Sequence, residues 1–364
     1  MASERDREIV EFLREAGWAG AQTEPLAGDA STRRYLRVRH NGAIAVLMDA
    51  PPKAETAPCP PEATPAERRA LGYNATARLA ASRIEAFVGV AGWLRSHGFS
   101  APDAYAIDLA RGYALLEDLG DDLFARAVPA GASEPELYGA AIDVLAALHR
   151  LSAPPSVNAH GAIWPVLTYD RLALMAETDL FVEWWAGRHL GANLSDAALE
   201  GWRSAWSGAL DAATPESPVL TLRDYHAENV IWRPHHEGLA RVGVIDFQDA
   251  LAGHPAYDLV SLLEDARRDV APELAETMIQ HYLAATGAQE GTFRAAYAAL
   301  GALRNAKIVG VFARLAIRDG KARYIDLIPR VARHLLGDLR HETMAPVRAW
   351  LARWLPGRLE AAAA

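Results

Sequence analysis

Arg223-Asp224-Tyr225-His226-Ala227-Glu228-Asn229 sets an acid and an amide five residues apart in a polar loop. Strand-like Val219-Leu220-Thr221-Leu222 precedes the loop and Val230-Ile231-Trp232 follows it. About seventeen residues beyond Asn229, the apolar run Val242-Gly243-Val244-Ile245 ends in Asp246, followed by Phe247-Gln248-Asp249. Phosphoryl transfer from ATP requires a carboxylate beside the attacking hydroxyl, oxygen ligands for Mg²⁺ and a cover over the phosphates. The two strings supply the first two. Mg²⁺ takes few protein ligands, all hard oxygens, with phosphate oxygens and water completing its shell. Singly, each of these residues has a plainer use, because Asp and Asn shape and cap turns. The combination of acid, amide at five residues and a second acid at a strand end points to the chemistry.

Toward the N-terminus, Ile9, Val10, Phe12 and Leu13 among charges predict a helix over 5–17 that Gly17 can end. Two strand-like runs, at about 33–40 and 43–49, flank Asn41-Gly42. Both turn residues tolerate the positive φ of a type I′ turn, so a hairpin is expected. Six prolines between Ala50 and Pro65 exclude regular structure there. Thr64-Pro65-Ala66-Glu67 then combines an N-cap, a first-turn proline and a capping-box acid. Ile84, Phe87, Val88, Ala91 and Leu94 recur at helical spacing up to Gly98, and strand-like 105–107 and 112–116 end at Glu117-Asp118-Leu119-Gly120. These elements predict an α+β lobe over 1–120. A mainly helical lobe is expected over 121–364, beginning with a second capping box at Ser133-Glu134-Pro135-Glu136.

The formal charge of −9 argues against a nucleic acid or an anionic membrane as partner, since both call for clustered basic surface. The charged N-terminus lacks a signal-peptide layout, and no apolar run reaches bilayer length. With a single cysteine, Cys59, the expectation is a cytoplasmic protein with no disulfide and no indicated obligate protein partner.

The loop around Asp224 resembles the catalytic loop of the aminoglycoside phosphotransferase and choline kinase group, relatives of protein kinases, with Arg223 in place of a small residue. That resemblance implies a bilobal, protein-kinase-like α+β fold, a hinge near 116–120, and ATP and Mg²⁺ as cofactors. It makes Asp224 the catalytic base and Asn229 and Asp246 the metal ligands. Tyr225 and His226 fall beside the acceptor, with His226 read as an orienting residue. Asp258, in the helix-opening Ala256-Tyr257-Asp258, is read as structural, a helix-terminal acid. The small-residue loop Gly28-Asp29-Ala30-Ser31-Thr32-Arg33 offers Ser31, Thr32 and Arg33 to the nucleotide phosphates, and the Glu117–Leu119 segment offers backbone to adenine. The strand Ala45-Val46-Leu47-Met48-Asp49 lacks the usual kinase lysine, for which Lys53, Arg33 or Arg34 are candidate substitutes, with Glu85 to orient one of them.

Further segments, among them Gly28 to Tyr35, Met48-Asp49-Ala50-Pro51-Pro52, Leu116 to Asp121 and Arg318-Asp319-Gly320-Lys321, resemble the bacterial anomeric amino-sugar kinases of peptidoglycan recycling. This implies N-acetylmuramate and N-acetylglucosamine as acceptors. Arg304, Lys307 and Arg314, spaced by three and seven residues, would share a helix face that could meet the lactyl carboxylate of the first. Basic stripes are also ordinary solvated faces. Glu264, Asp265 and Arg267 are further acceptor-side candidates, whereas Phe181, Trp184 and Trp185 are read as core. Two other readings remain: a kinase for an aminoglycoside, choline or an amino alcohol, and a non-catalytic nucleotide-binding regulator suggested by the missing lysine.

Overall fold

Asn41 and Gly42 have φ of 47° and 81°, and around them β2 (Arg34–His40) and β3 (Ala43–Asp49) pair antiparallel, His40 opposite Ala43 and Arg34 opposite Asp49. With β1 (Gln22–Pro25), β4 (Ala104–Asp108) and β5 (Tyr113–Glu117) they form one antiparallel sheet ordered β1-β2-β3-β5-β4. The computed structural model describes residues 4–26, 32–52 and 55–364. The first helix, Glu4–Glu15, lays Ile9, Phe12 and Leu13 on Val38, Ala45, Leu47, Tyr113 and Leu115 of the sheet. Burying each large apolar side chain contributes about 1.5–3 kcal/mol.

Two compact units result. The first comprises Met1–Ala130, Pro154–Val166 and Glu228–Ala250; the second comprises Gly131–Ala153, Leu167–Ala227 and Leu251–Ala364. The first is sheet-rich and the second mainly helical, the two lobes of a kinase-like α+β fold. The capping box at Thr64 forms as its spacing predicts, opening the helix Pro65–Leu71. At Ser133 it does not. There the cap residue has ψ of 109° where Thr64 has 160°, and no side-chain bond caps the helix Glu134–Leu148. Short strand pairs form separate two-stranded sheets: Ser156–Ala159 with Ala162–Pro165 and Val230–Trp232 with Val242–Val244 in the first unit, Val219–Thr221 with Leu251–Gly253 in the second.

The second unit is built on the 29-residue helix Glu290–Arg318. Its Gly310 lies so close to the helix Arg171–Leu180 that a Cβ there would stand 2.4 Å from the Leu180 carbonyl, so a glycine is required for the two backbones to meet. That helix continues as a π-helix, Phe181–His189, whose Phe181 stacks on Trp202 with ring centroids 5.3 Å apart. Phe181 and Trp185 are buried, as core residues should be, whereas Trp184 is only partly buried. Among the described residues, no helix is long and apolar enough to cross a membrane.

Candidate active site

In the first unit, Val242–Val244 delivers Asp246 with φ of 59°, a left-handed conformation rarely adopted by a residue bearing a Cβ. Such strain gathers where a side chain must be aimed. Phe247 anchors the bend by stacking on Phe87, centroids 4.9 Å apart, and Asp249 Oδ1 accepts the Ala80 N–H at 2.6 Å. Asp246 stays half-buried: Oδ1 accepts from Arg33 Nη1 and Gln248 Nε2, both at 3.1 Å, and Oδ2 from Asn229 Nδ2 at 3.4 Å. Among the described residues no group of three or more His, Cys, Asp or Glu gathers, so no all-protein metal cage exists. An amide oxygen and one carboxylate suit Mg²⁺ carried in on phosphates, for which one or two carboxylates suffice.

The cations near this carboxylate are already sorted. Arg34 is engaged by Asp49, Nε to Oδ2 at 2.8 Å, and Arg5 holds the other oxygen of that fully buried acid at 2.6 Å. Asp49 is therefore a structural anchor between helix and sheet. Glu85 pairs with Arg83, Nε to Oε2 at 3.1 Å, instead of orienting Arg33 or Arg34. Arg33 alone of the described candidates faces Asp246. Ser31 and Lys53 lie outside the described residues. Thr32 is exposed and donates to Glu55 at 2.7 Å. Glu117 donates its N–H to the Asp103 carbonyl at 2.7 Å and its carboxylate meets Arg95, so this segment must offer a base some other backbone group. Leu119 is buried.

In the second unit, the loop that carries Asp224 is pinned by its backbone. Asp258 accepts the N–H groups of Leu222 and Arg223, both at 2.8 Å, and Asp265 accepts the N–H of Ala227 at 3.1 Å. Ser261 Oγ donates to the Arg223 carbonyl at 3.0 Å. Arg223 has φ of 70°, and these bonds hold it there. Its guanidinium runs inward to Glu177, a fully buried acid that also takes Tyr169 OH at 2.6 Å and lies 3.3 Å from Lys307 Nζ. Burial pushes Glu177 up, but the Lys307 and Arg223 charges outweigh it and hold the carboxyl below its ordinary range. The same balance acts on Asp224. Burial would raise its pKa, and Lys307, His226, Arg223 and Arg304 together bring it below that of an ordinary aspartate. Burial lowers the pKa of His226 against the pull of Asp265 and Asp224.

A half-buried carboxylate kept ionised by cations can accept a proton, and a strained Asp at a strand end beside an amide can hold a phosphate-bound cation. The model of the phosphotransferase enzyme family matches residues 22–300, which include Asp224, Asn229 and Asp246. The chain belongs to the phosphotransferase enzyme family. An N-acetylmuramate/N-acetylglucosamine kinase of Caulobacter vibrioides is 49% identical to this phosphotransferase over 98% of each chain. A kinase of the same description from Pseudomonas putida is 30% identical over 94% of this chain and 96% of its own. Among solved structures, an ADP-bound aminoglycoside phosphotransferase aligns with a TM-score of 0.52 at 17% identity, covering 93% of this chain and 98% of its own. A choline/ethanolamine kinase family protein of Mesorhizobium loti gives 0.54 at 15% identity over 98% of each. At those identities the likeness to the solved structures is one of fold.

Several expected acceptor residues of this phosphotransferase are engaged elsewhere. Tyr225 is fully buried with its OH on the Ala141 carbonyl at 3.0 Å, which makes it a core tyrosine and takes it out of the substrate set. Lys307 is bound to Glu177 and, at 2.9 Å, to Tyr257 OH. Arg314 lies a further turn and more along the helix, within electrostatic reach of Asp319. Asp258, far from capping its own helix, fixes the Asp224 loop, and Asp265, expected at the acceptor, does the same at the other end. Glu177 was not among the expected residues. An acid one turn from Ala173 and Leu174 on a buried helix face was the signal for it.

Proposed function

We propose that this phosphotransferase transfers the γ-phosphoryl group of Mg-ATP to the C1 hydroxyl of N-acetylmuramate and N-acetylglucosamine, serving the recycling of cell-wall amino sugars in the cytoplasm. The observation that carries the reading is Asp224, ionised by surrounding cations in a loop pinned at both ends; the near-full-length likeness to the Caulobacter kinase supports the acceptor class. The acceptor O1 forms its bond to the γ-phosphorus as the bond to the β-phosphate oxygen breaks, ADP departs with the electron pair, and the O1 proton passes to Asp224. A carboxylate of lowered pKa is a weak base, and an anomeric hydroxyl, more acidic than an ordinary alcohol, is the acceptor that such a base can serve. Asn229 and Asp246 are assigned to hold Mg²⁺, which neutralises charge on the β- and γ-phosphate oxygens when bound.

Arg33 is assigned the task of the absent lysine, because it is the described candidate already against Asp246. Arg33→Met should raise the KM for ATP by about 10–100-fold, the worth of hydrogen bonds to a charged group. The check is ATP-dependent kinetics at saturating sugar. An unchanged KM would hand the role to Lys53.

The deciding experiment incubates the protein with Mg-ATP and, separately, amino sugars, choline and aminoglycosides, following ADP release and product NMR. A C1-phosphate of N-acetylmuramate or N-acetylglucosamine is the expected product. Turnover of a cationic acceptor alone would replace the reading, and no ADP with any acceptor would favour the regulator.

A further inference from the structure

The long helix Glu290–Arg318 carries two cations whose fields reach Asp224, and they are engaged very differently. Lys307 is bound by Glu177 and Tyr257. Arg304 is only 4% exposed, has no carboxylate within hydrogen-bond distance among the described residues, and its Nη1 has no hydrogen-bond partner. The other buried arginine of this unit, Arg223, is tied to Glu177. A buried charged donor left unsatisfied is costly, and its retention calls for a reason beyond packing. Next to it, Asn305 is engaged with Glu264 at 2.6 Å and Asp338 at 3.0 Å, which leaves the guanidinium as the open donor of this helix turn.

The surroundings define what such a donor can accept. Arg304 lies within electrostatic reach of Asp224, His226 and Glu264. One guanidinium matches one carboxylate in charge, and its planar fork can take the two oxygens through two N–H groups. Reach to Asp224 constrains the ligand further. N-acetylmuramate carries its lactyl carboxylate on O3, one pyranose ring's breadth from the C1 hydroxyl whose proton Asp224 takes.

We propose that Arg304 is the specificity-determining cation of the acceptor site, binding the lactyl carboxylate of N-acetylmuramate and so setting the preference between that sugar and N-acetylglucosamine. This rests on the amino-sugar reading above. With N-acetylglucosamine, water takes the place of the carboxylate on the guanidinium. Of the three basic residues sharing the stripe, Arg304 is thereby singled out and Lys307 becomes a structural counter-charge.

The test compares kcat/KM for N-acetylmuramate and for its lactyl amide, which keeps the size and removes the charge, in wild type, Arg304→Met and Arg304→Lys. Wild type should favour the acid over the amide by about 10–100-fold, expressed in KM, as expected for a charge-assisted pair. Arg304→Met should bring the acid-to-amide ratio close to one, whatever it does to turnover of both, and Arg304→Lys should restore part of it. A ratio in Arg304→Met equal to that of wild type would overturn the inference. Should that variant not fold, the wild-type ratio still decides, because a value near one means that no cation reads the carboxylate. Absence of turnover of any amino sugar by wild type is a different result and would remove the parent reading itself.

Discussion

Asp224→Asn is expected to lower phosphoryl transfer by about 10²–10⁴-fold, the usual worth of a positioned general base, while Mg-ATP binding measured by calorimetry stays near wild type. The substitution keeps the shape of the side chain and removes its basicity. The loop is held through its backbone as well, where Asp258, Asp265 and Ser261 bond Leu222, Arg223 and Ala227. The direction of the Asp224 pKa adds a second observable. Burial alone would raise it, but Lys307, His226, Arg223 and Arg304 bring it lower, so the base form persists to a pH below the ordinary aspartate range. The acidic limb of kcat/KM assigned to this group should therefore lie below that range and move upward in Arg304→Met. Full turnover by Asp224→Asn would remove Asp224 as the base.

What could be read from the sequence was what neighbours dictate to one another. The Asn41-Gly42 hairpin and the Thr64 capping box are decided within four residues, and both form. The same four-residue motif at Ser133 leaves its helix without a side-chain cap, because the backbone enters that helix at a different ψ, something spacing does not record. Strand β1 and the 156–165 hairpin were not anticipated. β1 is four exposed residues without apolar alternation, and it exists by virtue of pairing with β2. The site divides likewise. The acid, amide and acid at 224, 229 and 246 were visible as a pattern, but their partners were not, since Arg33 meets Asp246 across 213 residues of chain and Arg223 meets Glu177 across 46. Charge pairing over such distances is a product of the fold. The basic stripe at 304, 307 and 314 was legible as a stripe, and only burial and partners distinguish its members.

Glu177→Leu is expected to cost about 3–5 kcal/mol of folding stability, because breaking a buried ion pair leaves its partners charged and desolvated. Here two cations, Arg223 and Lys307, lose one acid. The urea midpoint at unchanged slope measures it. In wild type the Glu177 pKa is lowered, so its contribution is complete above the ordinary glutamate range and is lost as pH falls through the depressed value. The Lys307 pKa is raised, because Glu177 and Tyr257 outweigh burial, and its contribution is complete below the ordinary lysine range and is lost as pH rises through the raised value. Without Glu177 the balance at Lys307 reverses. Burial and the Arg223 charge then lower its pKa, so the penalty shrinks as rising pH removes the ammonium proton. The stability gap between wild type and Glu177→Leu should thus narrow between pH 7 and pH 10. A gap constant across that interval would mean that Lys307 is not the charged partner. Glu177→Leu combined with Lys307→Met should recover part of the loss, since an apolar pair replaces a stranded charge. In that double variant the acidic limb assigned to Asp224 should stand higher than in wild type, since Asp224 is left with one fewer of the cations that lower its pKa.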